Sequence, residues 1–108
     1  MRLWRIRDRA TFDRLRSEGV RRRSGPISVM ALRLDDGFPP RVAFAVGRGV
    51  GPAVVRNRLR RRLRTVAREL RLPSGAYLIG ASREAAGLSV TELADRVRGA
   101  LVEHGAPA

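Results

Sequence analysis

The sequence predicts a small single-domain sandwich of the α/β or α+β class, and three observations carry that expectation. The chain has 108 residues, enough for one domain and too few for two. Apolar residues make up 44% of it, which suits a packed core rather than a disordered tail. Helical periodicity alternates with a few short strand-like runs, each bounded by glycine or proline. Residues 1–108 are therefore read as one domain.

Asp8 can cap a first helix over about 8–18, with Gly19 ending it and Phe12 and Leu15 forming a narrow apolar stripe. The Ser24-Gly25-Pro26 turn leads into a strand over about 27–34. Asp35-Asp36-Gly37 and Pro39-Pro40 signal a turn, and these adjacent carboxylates are read as turn formers rather than as a catalytic pair. A second strand is expected over about 41–46, with Val42, Phe44 and Val46 on one face and only Ala43 and Ala45 on the other. Gly47, Gly49, Gly51 and Pro52 break the chain before a long helix over about 53–70. After Pro73-Ser74-Gly75, a third strand runs over about 76–82, with Tyr77 expected in the core. Ser89-Val90-Thr91-Glu92 is a capping box, flanked by Leu88 and Leu93 as a hydrophobic staple. Val90, Leu93, Val97 and Leu101 then repeat at helical spacing.

Composition excludes several chemistries. With no cysteine, disulfides, thiolate metal sites and cysteine nucleophiles are absent. The single histidine, His104, would have to carry any triad or zinc cluster alone, and it is read as solvated. No apolar run approaches the ~18–20 residues of a membrane span, and no signal peptide is seen, so a soluble cytoplasmic protein is expected. The Gly47-Arg48-Gly49-Val50-Gly51 run lacks the Gly-Lys-Ser/Thr end of a P-loop and fits no dinucleotide fingerprint. No small-molecule substrate is indicated.

Charge points to a partner. The 23 basic residues are all arginine, against 10 acids, for a net charge of +13. Arginine in place of lysine fits codon bias in a GC-rich genome. Its planar, permanently charged fork nonetheless suits phosphate, and a basic domain of this size points to nucleic acid. Residues 1–71 hold 20 arginines against six acids, whereas residues 72–108 hold three against four, so the polyanion is expected to meet the first two thirds.

The long helix concentrates this charge. At 100° per residue Val55, Leu59, Leu63, Val66 and Leu70 fall within about 40° of one line, which faces the sheet. Asn57, Arg60, Arg61, Arg64 and Arg68 cluster on the opposite side, and Arg56 and Arg62 flank the stripe. Seven arginines and no acid lie between positions 56 and 68. Solvated helix faces usually mix signs, because like charges at i,i+4 repel. A membrane-surface helix would present a broader apolar face. A helix-turn-helix reader of DNA would need a helix upstream, where this chain has a strand and a glycine-rich turn.

The stretch from Val42 to Arg64, with Gly51-Pro52-Ala53-Val54 leading into Arg56-Asn57-Arg58 and then Arg60, Arg61 and Arg64, resembles the signature of the bacterial ribonuclease P protein family. The resemblance covers most of the chain: an arginine-rich opening, a helix with Phe12, Gly19 at its end, and the Tyr77-Leu78-Ile79 strand before a final helix. It implies an α+β two-layer sandwich in α-β-β-β-α-β-α order with a left-handed β-α-β crossover, like the second domain of a small-subunit ribosomal protein. The extra short strand of that order would fall near Val20–Arg23.

The resemblance also implies a function. A catalytic ribonuclease P RNA, using bound Mg2+, removes the 5′ leader of precursor tRNA. The protein subunit binds that RNA and the leader and contributes no catalytic residue, and no metal is assigned to it. Arg56, Asn57, Arg58, Arg60, Arg61, Arg64 and Arg68 would contact the catalytic RNA. Phe12, Arg16, Met30 and Arg48 would occupy the leader cleft between the first helix and the sheet. Here the chain departs from the family pattern. Arg16 and Met30 replace common aromatics, Gly47-Arg48-Gly49 keeps one cation of a Ser-Lys-Lys turn, Pro52 replaces an asparagine, and Ser82 stands where an arginine is common, with Arg83 next to it. Leader contact is therefore expected to lean on charge. The alternative is a basic RNA-binding protein of the ribosomal type without a role in catalysis.

Overall fold

Local signals set the helix ends in the computed structural model, which describes residues 3–103. Helix α1 (Arg9–Glu18) starts at Asp8, whose carboxylate accepts from the Thr11 N–H at 2.9 Å. It stops at Gly19, whose N–H donates to the Leu15 carbonyl at 2.8 Å. Helix α3 (Val90–Glu103) opens with the reciprocal box: the Glu92 N–H donates to Ser89 Oγ at 3.1 Å, and the Ser89 N–H donates to Glu92 Oε1 at 3.0 Å. Helix α2 (Ala53–Glu69) follows a 3-10 turn at Arg48–Val50, and its capping residue Pro52 supplies no side-chain acceptor. A second 3-10 turn covers Arg83–Gly87. His104 lies outside the described residues.

The strands are β1 (Trp4–Arg5), β2 (Val20–Ser24), β3 (Ile27–Arg33), β4 (Arg41–Val46) and β5 (Gly75–Ala81). They form one sheet in the order β1-β4-β5-β3-β2. Strands β1 and β5 both run parallel to β4, while β3 pairs antiparallel with β5 and with β2. From β2 onward the order is the one the family resemblance implies. Strand β1 is an addition: two residues that pair with Arg41 and Val42 at the sheet edge.

Register sorts the sheet residues into two faces. Val42, Phe44 and Val46 share a face with Tyr77, Ile79, Ile27 and Val29, and α2 and α3 cover it to make the main core. Leu59, Leu63, Val66 and Ala67 are the buried side of α2. Tyr77 is buried there as expected, and its hydroxyl donates to the Pro73 carbonyl at 2.7 Å. Burial pushes its pKa up to about 12. Gly75 opens β5 under a tight constraint, because a Cβ there would lie 2.4 Å from the Leu32 carbonyl oxygen.

The opposite face carries Ala43, Ala45, Leu78, Gly80, Ser28, Met30 and Leu32. Helix α1 covers only one end of it, where Leu15 is buried with Ile6 and Ala76. Beyond that end the sheet is open, and Ala45 is exposed. The Asp35-Asp36 turn is held as a turn: the Phe38 N–H donates to Asp36 Oδ1 at 3.1 Å, and Arg41 pairs with the same carboxylate.

Candidate nucleic-acid interface

Helix α2 carries its arginines in two settings. On the flank facing β4, Arg60 and Arg64 are half-buried and Arg68 is exposed. These three line a groove of ≈ 550 Å³ together with Arg5 and Arg7 from the N-terminal segment. The groove exists because β1 pairs with only the first two residues of β4, leaving the outer edge of β4 without a strand beyond Ile6. Val42, Ala43 and Phe44 also line it, and no acidic side chain among the described residues does.

The remaining predicted RNA contacts divide by geometry. Arg58, Arg61 and Asn57 are exposed. Arg56 is half-buried, and its Nε donates to the Gly51 carbonyl at 3.1 Å. Arg60 donates to Asn57 Oδ1 at 2.9 Å and to the Val46 carbonyl at 3.2 Å. Arg62, on the other flank, donates to the Leu88 carbonyl at 2.9 Å and so holds α2 to the start of α3. Sequence periodicity separates the arginine side of α2 from the apolar side. It does not reveal that Arg5 and Arg7 converge with Arg60, Arg64 and Arg68.

The predicted cleft residues are brought together only in part. Phe12 and Met30 pack in one apolar cluster with Leu78 and Ala43 on the open face. Arg16 is exposed in the last turn of α1, and Arg48 is exposed in the turn after β4. Register adds two residues that sequence reasoning does not find. Arg21 pairs with Met30 and Arg23 pairs with Ser28, so both side chains leave the sheet on the open face. The Arg21-Arg22-Arg23 run is conspicuous in the sequence, but only the antiparallel register says which of its members share a face with Met30. On the neighbouring strand β5, Gly80 pairs with Ser28 and leaves the floor low there, because a Cβ would lie 2.6 Å from Ser28 Oγ.

Comparison with known proteins settles the family. A family model for ribonuclease P matches residues 1–104. This chain belongs to the ribonuclease P protein family. It is 41% identical over 108 residues to the ribonuclease P protein component of a Nocardioides species, an alignment covering 94% of this chain and 92% of that one. It is 40% identical over 107 residues to the ribonuclease P protein component of Thermobifida fusca, covering 90% and 73%. Solved ribonuclease P proteins share the fold. The Staphylococcus aureus protein superposes with a TM-score of 0.79 at 18% identity, over 95% of this chain and 96% of that one. The Thermotoga maritima protein gives 0.75 at 20% identity, over 92% and 96%. Membership of the ribonuclease P protein family carries an RNA partner with it.

Proposed function

We propose that this protein assists the 5′ maturation of tRNA by gripping two RNAs on two surfaces. The groove beside α2 holds phosphates of the ribonuclease P RNA, and the open sheet face receives the 5′ leader of precursor tRNA. The observation that carries this reading is the convergence of Arg5, Arg7, Arg60, Arg64 and Arg68 on one groove that no acidic side chain among the described residues lines. Five permanent cations held close together repel one another in the free protein, and an RNA backbone relieves that repulsion while releasing its counterions.

The cleavage chemistry belongs to the RNA in this reading, with Mg2+ held there. Among the described residues no three histidine, cysteine, aspartate or glutamate side chains come together as a metal cluster. Three of the acids already have structural work: Asp8 and Glu92 cap helices, and Asp36 holds a turn. The protein's share is to concentrate positive charge where two polyanions meet, which lowers the Mg2+ needed to hold them together. No helix among the described residues is long and apolar enough to cross a membrane, and the proposed site of action is the cytoplasm.

Reconstitution with a bacterial ribonuclease P RNA tests the proposal. Adding the protein is expected to lower the Mg2+ concentration needed for accurate 5′ processing, while the RNA-free protein cleaves nothing. Cleavage by the protein alone would overturn the assignment of chemistry. RNA binding without any stimulation would favour a basic protein of the ribosomal type.

A further inference from the structure

Two large aromatic side chains near the sheet edge are left open to solvent. Trp4 in β1 is 39% exposed, and Phe38 in the β3–β4 loop is 51% exposed. Their ring centroids lie 5.3 Å apart with planes tilted by 33°. The Arg41 guanidinium sits 5.7 Å from the Phe38 ring centroid and pairs with Asp36, which fixes the loop that presents Phe38. Both rings line a second groove of ≈ 510 Å³. Trp4, Arg5 and Arg7 line this groove and the arginine groove alike, so the two meet across β1.

The chemistry around the rings selects an occupant. Arg5 and Arg7 supply the cations of the second groove, since Arg41 is already paired with Asp36, and its one acid, Asp8, is engaged with Thr11 as the cap of α1. Arg41 Nε is buried there without a hydrogen-bond partner. An exposed π-face bordered by guanidinium groups suits a nucleobase whose flanking phosphates are held by the arginines. We propose that Trp4 and Phe38 form a stacking platform for an unpaired base of the ribonuclease P RNA, beside the groove that holds its backbone. This rests on the functional reading above. Register puts Trp4 on the sheet face of Arg41 and Ala76, at the end that α1 covers, and the proposal commits to the catalytic RNA because Trp4, Arg5 and Arg7 also line the α2 groove.

Trp4 is the only tryptophan in the chain, so its emission reports the site directly. Titrating the full chain with ribonuclease P RNA is expected to quench that emission in step with assembly. Trp4→Ala is expected to weaken assembly by about 5- to 150-fold, the range of one base–aromatic stack. Trp4→Phe is expected to recover most of the loss. Because stacking releases no counterions, Trp4→Ala leaves the salt slope of binding unchanged, unlike loss of an arginine. Phe38→Ala, in an exposed loop, removes half the platform without touching β1 and is expected to lose affinity in the same direction. Parental affinity in both alanine variants would overturn the platform, as would emission that moves only when precursor tRNA joins a preformed holoenzyme. Failure of the parental chain to bind the RNA would overturn the functional reading and this inference together.

Discussion

The Arg60 guanidinium donates to the Val46 carbonyl at 3.2 Å and so ties the second turn of α2 to the end of β4. One side chain thus serves both the fold and the cationic groove. Arg60→Ala is expected to lower stability by about 1 kcal/mol, mainly through loss of the part-buried bond to Val46, with the exposed one to Asn57 adding little, and to weaken RNA assembly as well. Chemical denaturation and RNA titration of the same preparation separate the two effects.

Arg64 lines the same groove and takes part in no side-chain hydrogen bond among the described residues, so its substitution is the cleaner electrostatic test. Arg64→Ala is expected to leave the unfolding midpoint nearly unchanged. The log–log salt slope of RNA binding is expected to fall by about 0.7–0.9 for each phosphate that Arg64 neutralises. An unchanged slope and affinity would remove Arg64 from the interface.

Leu63 is fully buried between α2 and the sheet. Leu63→Ala is expected to cost about 2–5 kcal/mol through the forfeited transfer energy and the cavity left behind. Urea denaturation is expected to show a lower midpoint at an unchanged slope. RNA affinity measured well below the melting temperature is expected to stay close to parental, since the arginine flank is untouched.

The Asp8 carboxylate is held below its ordinary range first by the Thr11 hydroxyl and then by the Thr11 N–H. Glu92 is held low in the same sense, by the Ser89 N–H and hydroxyl. A depressed folded-state pKa makes these caps contribute fully above the ordinary carboxylate range, and the contribution is lost as pH falls through the lowered values. Asp8→Asn keeps a capping acceptor, so stability near neutral pH is expected to change little. The variant is expected to lose less stability than the parent on acidification below about pH 5. Melting temperatures measured across that range check the sign.

Arg16 and Arg23 test the second surface, because both are exposed and Arg23 leaves the sheet on the open face. Either alanine substitution is expected to reduce the preference for precursor over mature tRNA while leaving stability within about 0.5 kcal/mol. Raising salt from about 50 to 200 mM is expected to reduce the same preference in the parent. Discrimination that ignores both the substitutions and the salt would return the cleft to stacking by Phe12.

What the sequence shows well is what its neighbours in the chain decide. Asp8, Gly19 and the Ser89–Glu92 box mark helix ends because each cap is satisfied within four residues. The sides of α2 follow from a fixed 100° step. Strand β1 escapes such reading because two residues show no alternation and their partners are Arg41 and Val42, far along the chain. Strand β2 is mostly arginine and is expected only from the family resemblance. The site is legible to the same extent. The α2 arginines stand out alone, but Arg5 and Arg7 join them, and Arg21 and Arg23 flank Met30, only through pairings the sheet makes at long range.

The sheet ends on β1 at one side and β2 at the other. Open strand edges invite pairing with another copy of the chain, and proteins blunt them by shortness or by charge. Here β1 offers two residues and the α2 arginines flank the β4 edge beyond it, while β2 presents Arg21, Arg22 and Arg23 in succession. The cations that equip the chain for RNA thus also keep newly made molecules apart before any RNA arrives. That protection is electrostatic, so it weakens as salt shortens the screening length. Concentrated, RNA-free preparations are expected to clump first in high salt, and a resident polyanion takes over as the guard once the complex has formed.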